Sequence, residues 1–101
     1  MKVLAMSQAQ WYLLEHEGQL YLDVLCRHNN RFMIQLNERE VAEYRRSGNL
    51  FLGQLARDIQ YAVPIRKGAR SSFQGRDQHR QLGELATTAE CEWLAAKEAE
   101  Q

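Results

Sequence analysis

Apolar positions recur every second residue over 20–26 and at helical spacing over 52–59. Three short segments, Gln10–Glu15 (QWYLLE), Gln19–His28 (QLYLDVLCRH) and Arg31–Leu36 (RFMIQL), are rich in aromatic and β-branched residues. Turn signals, Glu17-Gly18 and Asn29-Asn30, separate them. In the second segment a period of two puts Leu20, Leu22, Val24 and Cys26 on one face.

A two-residue turn at Glu17-Gly18 pairs Leu13 with Leu22 and Trp11 with Val24. For the next hairpin, a three-residue loop Asn29-Asn30-Arg31 pairs Cys26 with Ile34 and Val24 with Leu36. A two-residue loop would mix the faces, because a one-residue slip turns every side chain over. The expected inner face is therefore Trp11, Leu13, Leu20, Leu22, Val24, Cys26, Phe32, Ile34 and Leu36.

Helix signals begin at Asn37, an N-cap with Glu40 three residues on as in a capping box, and Gly48 suits the C-terminal end. Leu52, Leu55, Ala56 and Ile59 carry helical spacing over 49–62 and are the expected cover for the inner face. Pro64 stops that helix, and 64–76 reads as a loop. Asp77 is placed to cap a last helix over about 78–98, with Gly83 and Thr87-Thr88 as weak points. These elements predict one α+β domain spanning 1–101: a three-stranded antiparallel β-meander followed by two or three helices packed on the sheet.

An apolar share of 45% is ordinary for a globular protein and argues against wholesale disorder. Met1–Met6 resembles the front of a signal peptide, but its apolar run is too short, and no stretch approaches a membrane span. The expectation is a cytoplasmic protein. Two cysteines, Cys26 and Cys91, make no disulfide framework, and Cys26 on the core face reads as a structural thiol.

The net charge of zero hides a polarised chain. Residues 1–63 balance, 64–83 carry net +4 and 84–101 carry net −4. The basic stretch suggests one candidate surface, Arg66, Lys67, Arg70, Phe73, Arg76 and Arg80, in which cations follow a phosphate backbone around one stacking ring. The bland alternative is a solvated loop partly neutralised by the acidic C-terminal segment.

The outer face of the sheet is the other candidate. Tyr12, Leu14, Tyr21, Leu25 and Met33 point away from the inner core, and a solvated face would be more polar than this. Either the C-terminal helix covers it, giving three layers, or another protein or a second copy of the chain does. His16, His28, His79, Cys26 and Cys91 lack the paired spacing of a metal site, and Ser71-Ser72 with His79 lack a carboxylate placed to orient a base. No metal, cofactor or catalytic residue is expected. The sequence favours a small non-catalytic protein-interaction module, whether homodimer, adaptor or inhibitor, over weak nucleic-acid binding by 65–80.

Overall fold

The computed structural model describes residues 1–7, 10–26, 30–62, 73 and 75–99. Four strands, β1 (Lys2–Ser7), β2 (Trp11–His16), β3 (Gln19–Leu25) and β4 (Arg31–Gln35), form one antiparallel sheet in chain order. Helices α1 (Glu38–Ser47), α2 (Asn49–Ala62) and α3 (His79–Ala99) follow. The α+β architecture is as expected, with one strand more than the pattern predicts and with helices on both faces.

The β2–β3 turn behaves as its residues dictate. Glu17 and Gly18 both have positive φ, 52° and 78°, as a type I′ turn requires. Leu13 then pairs with Leu22 and Trp11 with Val24. The β3–β4 hairpin departs from expectation: Leu22 pairs with Ile34 and Val24 with Phe32, four residues away from the predicted register. Arg31, expected in the loop, instead opens β4, and the Cys26 amide donates to the Asn30 carbonyl at 2.6 Å. Because the shift is even, every side chain keeps its face. The inner core contains all nine predicted residues, Leu20 at its margin, covered by Leu52, Leu55, Ala56 and Ile59 of α2.

Strand β1 was not expected. Val3 pairs with Leu14, Ala5 with Leu13, and Leu4 bulges out between them. The bulge lets two residues of the same parity serve opposite layers. Val3 joins the outer core and Ala5 packs against the inner one. Leu4 is left 41% exposed.

The capping box at Asn37 is complete: the Glu40 amide donates to Asn37 Oδ1 at 2.8 Å and the Asn37 amide to Glu40 Oε1 at 2.9 Å. Helix α3 is continuous through Thr87-Thr88, and the Asp77 carboxylate accepts from the amides of His79 and Met33. It thus ties the start of α3 to the edge of β4. Gly83 has a packing reason, since a Cβ there would lie 3.0 Å from the His79 ring one turn earlier.

Helix α3 lies on the outer face. Leu14 and Met33 are fully buried beneath it, and Tyr21 is buried with them, against Ala86 and Ala89. Tyr12 and Leu25 are half-buried, and the Tyr12 ring meets Trp93 edge-on at 6.5 Å. Of the two covers considered for this face, the chain's own helix supplies the cover for Tyr12, Leu14, Tyr21 and Met33, which belong to a second core, while Leu25 joins neither core and lines a pocket at the end of β3.

Candidate functional site

The outer core contains one group of charges. Asp23 sits in the middle of β3, opposite Tyr12 on β2 and Met33 on β4. Arg31 starts β4 two residues from Met33, on the same face, so its guanidinium reaches Asp23 diagonally. From α3, Glu90 reaches the same guanidinium one turn after Ala86. One nitrogen, Nη2 of Arg31, donates to both Asp23 Oδ2 and Glu90 Oε1, and Nη1 donates to Thr87 Oγ1 at 3.2 Å. Asp23 is 1% exposed and Glu90 5%.

The electrostatics do not balance. Two carboxylates share one cation, and Asp23 Oδ1 and Glu90 Oε2 have no hydrogen-bond partner. Burial pushes the Glu90 carboxyl above its usual range, and the bonds and charge of Arg31 only partly offset this. Burial, then the nearness of Glu90, also pushes the Tyr12 phenol up. A pocket of about 180 Å³ opens beside the cluster, lined by Gln10, Trp11, Tyr12, Asp23, Leu25 and Arg31.

Neither Asp23, Arg31 nor Glu90 stood out in the sequence as a site residue. In the predicted register Arg31 lies in the hairpin loop, too far along to meet Asp23. The only available signal was a lone acid, Asp23, inside an otherwise apolar strand.

A second ion pair has a structural role. Arg76 donates to Glu40 Oε1 at 2.5 Å, Glu40 Oε2 at 3.0 Å and the Gln35 carbonyl at 2.9 Å. Burial works to raise the Glu40 pKa, but the bonds from Arg76 and Asn37 outweigh it and hold this carboxyl below its usual range. Arg76 is therefore committed to the β4–α1 junction, and Phe73 is buried in the inner core. This corrects the nucleic-acid surface: neither its stacking ring nor this cation faces outward. Arg80 is exposed on the first turn of α3, while Arg66, Lys67 and Arg70 lie outside the described residues.

Among potential metal ligands, Cys26 is buried and its thiol is pushed up by burial and then by Asp77, which suits an inert core group. His28 lies outside the described residues, and Cys91 is exposed. No group of three or more His, Cys, Asp or Glu side chains among the described residues is arranged to hold a metal ion, and none of their helices is long and apolar enough to cross a membrane.

The largest exposed apolar side chains lie instead on α2. Leu50 is 70% exposed and Tyr61 96%. Gln54 and Arg57, both exposed, lie between them. The spacing i, i+4, i+7, i+11 puts all four in one stripe, opposite the buried stripe of Leu52, Leu55 and Ile59. Beside the Leu50 end runs a groove of about 530 Å³, walled by Met6, Gln10 and Trp11 on one side and by Leu50, Gly53 and Arg57 on the other. A Cβ on Gly53 would meet nothing within 4 Å, so no contact among the described residues requires glycine there. In comparisons with known proteins, no family model, no curated sequence and no solved structure matches this chain.

Proposed function

We propose that this chain is a non-catalytic protein-interaction module that pairs with a second copy of itself through the exposed stripe of α2. The self-complementarity of the stripe carries this reading. Place a two-fold axis between Leu55 and Ala56 and run the two helices antiparallel. Leu50 then faces the partner's Tyr61, and Gln54 faces the partner's Arg57. Both apolar ends are covered together and the polar centre is hydrogen-bonded, as an isologous contact demands.

The groove beside Leu50 gives the incoming ring a seat. The partner's Tyr61 arrives where Gly53 leaves room, next to Trp11 and Met6. A glycine in a helix interior costs about 1 kcal/mol relative to alanine. Close approach of a partner is a reason to bear that cost, and nothing among the described residues supplies another.

Sedimentation velocity at tens of micromolar tests the reading. The wild type is expected at twice the chain mass. Leu50→Asp, Tyr61→Asp and Gly53→Met are each expected to give monomers with unfolding midpoints at or near the monomeric baseline, because none of these positions is in the core. A monomeric wild type, or a dimer that survives all three changes, would refute the pairing.

A further inference from the structure

Helix α3 covers the outer core with little apolar substance of its own. Its buried residues are Gly83, Ala86, Ala89 and Glu90, with Leu82 and Trp93 half-buried beside them. Helix α2, on the other face, buries Leu52, Leu55, Ala56 and Ile59. Burial stabilises in proportion to the apolar area removed from water, so α3 is the more weakly held of the two. The Gln78 amide and the Asp77 carboxylate fasten its start to Met33. Past that point its directional links to the sheet are the bonds of Arg31 to Thr87 and Glu90 and the contact of Tyr12 with Trp93.

The charged link is short of one positive charge. Asp23 and Glu90 present two carboxylates to the one guanidinium of Arg31. Asp23 Oδ1 and Glu90 Oε2 are shielded from solvent and have no hydrogen-bond partner among the described residues. Two buried carboxylates on one cation resist ionising together, and a single proton held by the pair removes the excess charge. A proton is also the one cation that needs neither a cavity nor an entry path. The neighbouring groups do not supply the charge instead. Tyr12 of β2 is uncharged, its phenol pushed further up by burial. Strand β1 contributes Val3, while its Lys2 is exposed. His79, on α3 itself, is the smallest of the influences on Glu90.

We propose that α3 is a proton-controlled cover: one proton held by Asp23 and Glu90 keeps it docked, and loss of that proton to water lets α3 lift off while the sheet, α1 and α2 stay folded. The inner core, closed by α1 and α2, is the larger of the two and shares no residue with the cluster. Lifting α3 bares Val3, Leu14, Tyr21 and Met33. Burial raises the Glu90 carboxyl in the docked state. Docking is therefore complete below the ordinary carboxylate pKa and weakens, by up to about tenfold for each pH unit, until the raised value is passed. This face of the sheet lies away from α2, so the device does not rest on the pairing proposed above.

Native-state hydrogen exchange, corrected for intrinsic rates, tests the proposal from about pH 4 to about pH 8, a span that covers ordinary and strongly buried carboxyls. The amides of Ala86, Ala89 and Glu90 are expected to be less protected than those of Leu22 and Leu55 by about tenfold or more at every pH, the sign of a separate opening. Their protection should fall as pH rises. Glu90→Gln should remove that fall, and His79→Gln should leave it in place. Should Glu90→Gln fail to fold, Asp23→Asn decides by the same readout, since one carboxylate per guanidinium leaves no excess charge. Exchange of α3 in one step with Leu22 and Leu55, protection of α3 that does not fall with pH, or a fall that survives removal of the carboxyl would overturn it.

Discussion

Arg31→Met is expected to destabilise the fold by about 3–5 kcal/mol in urea titration followed by circular dichroism, the range seen when one partner of a buried ion pair is removed. The reason is less the loss of attraction than what remains. Asp23 and Glu90 would keep their positions under α3 with no cation between them, and neither has water to turn to. A chain of this size has about 5–15 kcal/mol of stability in all, so the loss is a large part of it. Adding Asp23→Asn and Glu90→Gln to the methionine variant should restore most of the loss. A cost below about 1 kcal/mol for Arg31→Met would mean that the cluster is solvated rather than buried.

The same cluster gives the stability a pH dependence with a definite sign. The Glu90 carboxyl is raised in the folded chain, chiefly by burial. The folded state therefore holds this proton more tightly than the unfolded state does. Stability from that source is complete below the ordinary carboxylate pKa and is lost as pH rises through the raised folded value. Glu40 works in the opposite direction, since its lowered pKa adds stability above the ordinary value that is lost as pH falls through the folded one. Glu90→Gln should flatten the alkaline side of the profile and leave the acid side as it was.

Leu14→Asp is expected to abolish the native fold. Leu14 is fully buried between β1, β3 and α3. Truncation of such a leucine to alanine alone costs about 2–5 kcal/mol, and an unpaired buried carboxylate adds several more. The sum reaches the whole stability of a small domain. Tyr12→Asp, at a half-buried position on the same face, should cost less and leave a folded protein. Hydrogen exchange along α3 makes the distinction: protection should vanish in Leu14→Asp and persist in Tyr12→Asp. A folded Leu14→Asp protein with α3 still protected would contradict the three-layer arrangement.

Much of this architecture was legible from local signals. The Glu17-Gly18 turn, the Asn37–Glu40 capping box and the 49–62 helix each depend on residues within one or two turns of one another. Propensity, capping and periodicity act at that range, so the sequence alone settled them. It also settled which side chains of β2, β3 and β4 share a face, because parity survives any even shift in pairing. Only the tertiary structure decided the rest. Strand β1 has no alternation to read, since its bulge sends Val3 and Ala5 to opposite layers. The outer face presented the same apolar pattern whether α3 or another chain covered it, and only the docked helix distinguishes the two. Above all, the four-residue difference in the β3–β4 register moves Arg31 from a loop to a place beside Asp23, where α3 brings Glu90, distant in sequence, to both. Local preferences are nearly indifferent to that shift, because both registers keep the same residues inside. The choice rests on packing and charge contacts between segments far apart in the chain, which no local pattern records.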